Sequence, residues 1–425
     1  MLPILNFKKL SFLVYGLGKS GVSIVKFFNK KKIKNYKVWD DKQKKLFKNK
    51  RAKNLKKTLN KVDYIILSPG ISLIKKKNLV KFKKKIITDI DLFYLTNKNF
   101  KSIMITGTNG KSTTSKLISH LLKKNKFRVF LGGNIGTPIL DLKLKKDSFV
   151  VIEASSFQLS HSKFIYPDYA VLLNITKDHL DWHGNMSNYM SSKFKVFKNQ
   201  KNNQFAIVNY KLKKIFQNKN LAGRLITPKI DEYKNIKYKI KNHYLKLNVN
   251  DENMSFAYAF SQLLKISEKN FITAIETFVG LPHRHEIFLK KKNIIFINDS
   301  KATSFESTKF ALSNSKNIYW ILGGLPKKKD KILLHGIKKN IIKCYLIGKN
   351  TSFFQKEIKN KITFSIVNKL EKALIEIFKD IKILNTKNNI ILLSPAAASF
   401  DQFKNFENRG NEFKKLSKYY ARKII

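Results

Sequence analysis

The sequence predicts an α/β fold of three domains, each built on a mostly parallel sheet, and three observations carry that prediction. Short apolar, β-favouring runs alternate with helix-periodic segments along the whole chain of 425 residues, the pattern of sheets covered on both faces. Gly16-Leu17-Gly18-Lys19-Ser20-Gly21 stands between the apolar run SFLVY (11–15) and the periodic VSIVKFF. A second glycine loop, GTNGKST (107–113), stands between SIMIT (102–106) and a segment in which Leu117, Ile118, Leu121 and Leu122 recur at helical spacing.

The first domain is expected over residues 1–97. Its strand, G-x-G-x-x-G, helix and second strand YKVWD, ending in Asp40, form the Rossmann fingerprint. Taken alone, that fingerprint predicts an NAD-dependent dehydrogenase. VDYIILSPG (62–70) and KKIITDIDLFYL (84–95) follow as apolar runs, and the polar TNKNFKS (96–102) marks a boundary. The central domain, 98–280, repeats the logic. FRVFL (127–131) precedes Gly132-Gly133-Asn134-Ile135-Gly136, FVVIE (149–153) ends in Glu153, and AVLLN (170–174) leads into ITKDHLDWHG. Ligands of such sheets collect at the carboxyl ends of the strands, where the phosphate loop, Asn134, Glu153 and Asp178-His179 are all expected. The third domain, 281–425, begins at LPHRHE and contains NIIFINDSKAT (293–303), IYWILGG (318–324) and NIILLSPAAASFDQF (389–403), again a Rossmann-like alternation. No repeat of solenoid period is present. The cluster Lys327-Lys328-Lys329 reads as loop decoration.

Hydrophobic content of 43% and aromatic content of 12% describe a globular chain. No run approaches the ~18 apolar residues of a membrane helix. The N-terminus has lysines inside its apolar part and runs directly into the glycine motif, so it reads as mature structure rather than a signal peptide. Cys344 is the single cysteine, which leaves no intrachain disulfide and no cysteine-based zinc site and points to a reducing cytoplasm. The formal charge of +58 comes from lysines scattered through nearly every segment. Asn, Ile and Phe are abundant beside them, and all four share AT-rich codons. A solvated lysine surface is therefore expected rather than a nucleic-acid face, although such a field also steers anionic ligands.

The loop Gly107, Thr108, Asn109, Gly110, Lys111, Ser112, Thr113 carries the chemistry. A glycine loop opening a helix cradles phosphate on backbone N–H groups, with Lys111 toward the β/γ-phosphates and the Ser112 hydroxyl on Mg²⁺. The generic spacing wants glycine where Ile105 stands, so a tight strand–helix turn is the competing reading. Glu153 closes an apolar strand, as a metal ligand or as a rim carboxylate paired to lysine. His179 and His183 have the i, i+4 spacing of a helical pair, read either as ligand or orienter beside a nucleotide or as surface histidines. Arg284, Asp299 and Lys301 read either as phosphate-directed groups or as ordinary junction charges.

GTNGKST (107–113), GNIGTP (133–138), EASSFQL (153–159), NITKDHLD (174–181), LPHR (281–284), NDSKAT (298–303) and SPAAASFDQFKNFENRG (394–410) together resemble the Mur ligases. The resemblance runs in order from about residue 11 to about residue 420. It is greatest to the member of the family that joins D-glutamate to UDP-N-acetylmuramoyl-L-alanine in peptidoglycan precursor synthesis. A sister ligase using a different amino acid is the alternative.

What the resemblance implies is an ATP- and Mg²⁺-dependent amide-bond ligase working through an acyl phosphate, with two ions. The first glycine loop would bind UDP rather than NAD, with Lys19 and Ser20 on the diphosphate and Asp40 and Gly70 near the uridine. Glu153 and His179 would join Ser112 as metal ligands, and Lys193, following Tyr189 at the family spacing, would be the lysine that becomes carbamylated. Asn134, Ser155 and Gln158 would face the muramoyl substrate. Asn253, Arg284, Asp299 and Lys301 would contact ATP, while Thr303, Lys327, Ser399 and Phe406 would frame D-glutamate. Arg409 matches the family without an assigned contact. The expected form is a cytoplasmic monomer without nucleic acid. The chain departs from the family at three places. Of the motif H-N-x-x-N the chain keeps only Asn253, with Phe256 at an expected nucleotide-side position, which bears on adenine recognition. Ala397 stands where cysteine is common, and Ser304 where asparagine is usual.

Overall fold

The computed structural model describes residues 7–327, 331–386 and 388–424; Lys328 and Lys329 of the lysine cluster lie outside them. The chain divides into two compact units, 1–278 and 279–425, and its described residues form three sheets.

The first unit holds two of them. β1 (Phe12–Tyr15), β2 (Tyr36–Trp39), β3 (Tyr64–Leu67) and β4 (Ile86–Ile87) form a parallel sheet of order β2-β1-β3-β4. The apolar run 84–95 is not one extended segment. Only Ile86 and Ile87 pair as strand, and a helix then spans Asp89–Thr96. The switch is local chemistry. Thr88 accepts from the Asp91 N–H while the Asp91 carboxylate takes the Thr88 N–H, a capping box that starts the helix.

The second sheet contains β5 (Phe100–Thr106), β6 (Val129–Gly133), β7 (Ser148–Glu153), β8 (Tyr169–Leu172), β9 (Phe205–Val208) and β10 (Arg224–Ile226), in the order β10-β9-β8-β5-β7-β6. Every pairing is parallel. Its strands are apolar on both faces because helices cover both: all six residues of β7 are buried. Ile103, Ile105 and Val151 pack on one side with Leu117, Leu121 and Phe260; Met104, Val150 and Ile152 pack on the other with Ile90, Phe93 and Tyr94 of the Asp89–Thr96 helix. Strand order reverses at β5, which lies between the later β7 and β8. A crevice therefore opens at its carboxyl end, where the phosphate loop begins.

The second unit has one sheet, β11 (Glu286–Lys291), β12 (Ile294–Asn298), β13 (Ile318–Gly323), β14 (Ile341–Ile347), β15 (Phe364–Asn368) and β16 (Asn389–Leu393), ordered β11-β12-β16-β13-β14-β15. All its pairings are parallel except β11 with β12, which is antiparallel. Among the described residues no helix is long and apolar enough to cross a membrane.

Candidate active site

The carboxyl ends of β8, β5, β7 and β6 lie side by side, and the loops leaving them carry most of the central residues singled out from the sequence. The phosphate loop turns at Gly110, whose φ of +81° suits glycine, and delivers Lys111 as the first residue of the helix Lys111–Lys124. Ser112 and Thr113 are buried in its first turn. Thr108 donates its N–H to Asn174 O at 2.9 Å, and Asn109 donates its own to Asn174 Oδ1 at 2.8 Å. The Thr108 hydroxyl is 2.9 Å from the Tyr189 hydroxyl. Lys111 Nζ donates to Gly107 O at 2.9 Å and to Thr108 O at 2.7 Å.

Lys193 Nζ donates to the same Gly107 carbonyl at 2.7 Å, so two amines converge on one oxygen. Only 1% of Lys193 is exposed. Burial, and then the charge of Lys111, hold its amine well below the usual lysine range, with Asp178 pulling the other way. Its nitrogen lies 4.6 Å from the centre of the Tyr189 ring.

Glu153 is 1% exposed at the end of β7. Its Oε1 accepts from Asn134 Nδ2 at 2.7 Å, while Oε2 is buried with no hydrogen-bond partner. A buried carboxylate oxygen left without a partner is costly, and an Mg²⁺ ion is a group that would satisfy it. Among the described residues no three His, Cys, Asp or Glu side chains gather into a metal cluster. The donor set thus fits a hard ion that keeps water and phosphate oxygens in its shell, not a protein cage.

His179 has φ +53° and is the N-cap of the short helix Leu180–His183, whose last residue bonds back from its N–H to His179 O at 3.1 Å. The His179 ring packs against Phe157 at 4.8 Å and lies 3.4 Å from the Asp178 carboxylate. His183 instead contacts Ser156 Oγ at 3.0 Å, and burial pulls its pKa down to about 4. Ser155 and Gln158 cap their own helix reciprocally: Ser155 Oγ accepts from Gln158 N, and Gln158 Oε1 accepts from Ser155 N at 3.1 Å. Asn253 Oδ1 accepts from the Thr114 hydroxyl at 3.1 Å. Phe256 is a core residue. It is 2% exposed in the core with Leu117, Met254 and Phe260, because burying an aromatic ring gains ~1.5–3 kcal/mol that a solvent-side position forgoes.

On the first sheet Lys19 and Ser20 begin the helix Lys19–Lys30 directly after the glycine loop. Asp40 is folded onto that loop, taking the Leu17 N–H at 2.6 Å through Oδ2 and the Lys42 and Gln43 N–H groups at 2.8 Å through Oδ1. Gly70 is exposed just beyond β3.

Within the second unit, Asp299 follows β12 and accepts from His285 N at 3.0 Å and from Ser394 Oγ at 2.6 Å. Burial pushes its pKa up to about 7, against the pull of those donors and of Arg284. Lys301 Nζ sits 4.0 Å over the Phe406 ring. Arg409 is buried and binds Ser300 Oγ and O, Ala397 O and Gly323 O, tying the ends of β12, β13 and β16 together. Ser399 is buried, Thr303 is half-buried, and Lys327 is exposed after β13.

A Mur ligase middle-domain profile matches residues 105–277, and a Mur ligase MurD-like N-terminal-domain profile matches residues 10–88. The UDP-N-acetylmuramoylalanine–D-glutamate ligase of Rickettsia felis is 36% identical, over 97% of this chain and 97% of its own. The chain belongs to the Mur ligase family. The enzyme of the same name from Buchnera aphidicola is also 36% identical, over 97% of this chain and 99% of its own. Two solved Mur ligases share the fold. MurC of Thermotoga maritima has a TM-score of 0.59 at 16% identity, covering 97% of this chain and 100% of its own. MurF of the same organism, in complex with ADP, has 0.58 at 17% identity, with 100% of both chains covered.

In this Mur ligase the sequence pointed to the phosphate loop, Asn134, Glu153, His179 and Lys193, and the first unit brings these to neighbouring strand ends. It did not point to Asn174 as a loop anchor, to Glu252 or Asn209, or to Asp89. Asp89 is a buried carboxylate whose pKa is raised by desolvation, 3.5 Å from Gln158 Nε2. Their partners are distant in sequence.

Proposed function

We propose that this Mur ligase joins D-glutamate to UDP-N-acetylmuramoyl-L-alanine with ATP, as the names of its curated relatives say of them. The observation that supports the chemistry best is the meeting of three features at neighbouring strand ends: the phosphate loop with Lys111, the unpaired oxygen of Glu153, and the deprotonation-prone Lys193.

An oxygen of the alanyl carboxylate attacks the γ-phosphorus, and ADP leaves. The amine of D-glutamate then adds to the acyl-phosphate carbon. The tetrahedral adduct loses phosphate and a proton to give the amide. A carboxylate is a poor electrophile, and phosphorylation supplies the leaving group. Lys111 holds the β/γ-phosphates once it turns from the loop carbonyls to the nucleotide. Ser112, Glu153 and His179 would hold Mg²⁺, whose chemistry is to screen two anions that must approach each other. The amine of Lys193, once deprotonated, adds to CO₂, loses a second proton and becomes a carbamate. That replaces a buried amine by an anionic oxygen ligand able to serve a second ion.

Lys19, Ser20, Asp40 and Gly70 take the UDP end, with Asp40 acting through the loop it latches. Asn134, Ser155 and Gln158 take the muramoyl end. In the second unit Arg284, Asp299 and Lys301 are assigned to the nucleotide, and Thr303, Lys327, Ser399 and Phe406 to D-glutamate. The reading places the enzyme in the cytoplasm as a monomer.

The test is phosphate release in the presence of ATP, Mg²⁺ and UDP-N-acetylmuramoyl-L-alanine, with the amino acid varied. D-Glutamate should support turnover, and L-lysine and diaminopimelate should not. The opposite pattern assigns a sister activity instead.

A further inference from the structure

We propose that Glu252 is a positioning residue of the nucleotide site, holding the side-chain amide of Asn174, and through it the Asn109 backbone of the phosphate loop, in one orientation. This rests on the phosphate loop binding ATP and not on which amino acid is ligated.

Asn174 lies just past the end of β8 and Asn209 just past the end of the neighbouring β9. An asparagine amide presents a donor on one side and an acceptor on the other, and its direction is set by its partners. Here both Nδ2 groups converge on one atom, Glu252 Oε1, at 2.9 Å from Asn174 and 3.0 Å from Asn209. An ionised carboxylate only accepts, so it turns both amides the same way. The Oδ1 of Asn174 is then left facing the loop, where it takes the Asn109 N–H at 2.8 Å. The Oδ1 of Asn209 takes the Lys211 N–H at 3.0 Å.

The Asn174 backbone carbonyl adds the bond from Thr108 N at 2.9 Å, and its Nδ2 also donates to Asn109 O at 3.3 Å. The loop is thus fastened to a strand end at two successive residues. Glu252 stands in the first turn of the helix Asp251–Leu263. Its neighbour Asn253 meets the loop as well, receiving the Thr114 hydroxyl and closing on Gly110. Consecutive side chains of one helix therefore fix both flanks of a loop that binds through the direction of its backbone N–H groups. A loop ordered before the nucleotide arrives loses less freedom on binding.

The experiment is calorimetric titration of the full chain with ADP and Mg²⁺, which leaves the amino acid and the muramoyl substrate out. Glu252→Ala should weaken ADP by about tenfold, and Glu252→Gln, which keeps an acceptor for both amides, by no more than about threefold. Asn174→Asp sets two carboxylates against each other and should weaken ADP by about a hundredfold. Adding Glu252→Gln to it supplies a donor to the new carboxylate and should restore about tenfold or more, a rescue that a merely structural lesion would not show. Affinity within about twofold of wild type in Glu252→Ala would overturn the assignment. So would a double variant no tighter than Asn174→Asp alone, and that comparison decides if Glu252→Ala does not fold.

Discussion

Lys193 shows how a residue of unremarkable sequence context acquires chemistry from its surroundings. Its amine is buried, shares the Gly107 carbonyl with Lys111, and is held below the usual lysine range. Such an amine gives up its proton more readily than an exposed lysine does, as carbamylation requires. Lys193→Ala should lose about a hundredfold or more in turnover and recover part of it with added acetate, which offers the missing carboxylate. Phosphate-release rates with and without acetate check this; full activity without any additive contradicts it. Asp299 gives a prediction of pH dependence. Its folded pKa of about 7 lies above the ordinary 3.8, so between those values the folded chain keeps a proton that the unfolded chain has lost. Stability from this group is therefore present at the acid end and is lost as pH rises through about 7. Relative to wild type, Asp299→Asn should gain a few °C in melting temperature between about pH 5 and about pH 8. Thermal melts of the two proteins at both pH values measure it, and an unchanged difference contradicts it.

The phosphate loop and its helix were legible as an element because their signals are local: SIMIT, two glycines, Lys-Ser, then four leucines and isoleucines at helical spacing. What anchors the loop was not, since Asn174 and Glu252 are separated by 78 residues and nothing local to either links them. Phe256 went the other way. Family likeness put it on the nucleotide side, and an apolar ring in a helix that packs on Leu117 was drawn into the core. The His179 and His183 spacing marks a single helical turn: His183 N bonds His179 O at 3.1 Å, and His179 is its left-handed N-cap. Gly110 tests the element directly. A Cβ there would stand 2.3 Å from Asn253 Oδ1, at a φ that side chains resist. Gly110→Ala should raise the KM for ATP by about tenfold or more while the fold is kept. Steady-state kinetics beside a melting curve would show it, and an unchanged KM would mean that the turn tolerates a side chain.

At the scale of the whole molecule, three mostly parallel sheets were readable from the alternation of apolar runs with helical periods. How the first two sheets cohere was not. The helix Asp89–Thr96 follows the last strand of the first sheet, yet Ile90, Phe93 and Tyr94 belong to the core under the second. The buried Asp91 also receives the backbone N–H groups of Lys163 and Phe164 at 2.8 and 2.7 Å. A fragment of residues 1–97 would leave that apolar face exposed and that carboxylate without those partners. It should therefore fail to fold, whereas residues 1–278 should melt as one cooperative unit; circular dichroism of the two fragments separates the outcomes. The central claim concerns the reaction, and isotope transfer tests it most directly. The substrate UDP-N-acetylmuramoyl-L-alanine is labelled with heavy oxygen in its alanyl carboxylate and turned over with ATP and D-glutamate. An acyl phosphate leaves one of those oxygens on the released phosphate, so mass spectrometry should find labelled phosphate formed only when D-glutamate is present and in step with the amide product. Unlabelled phosphate, or no product with D-glutamate, would contradict the account.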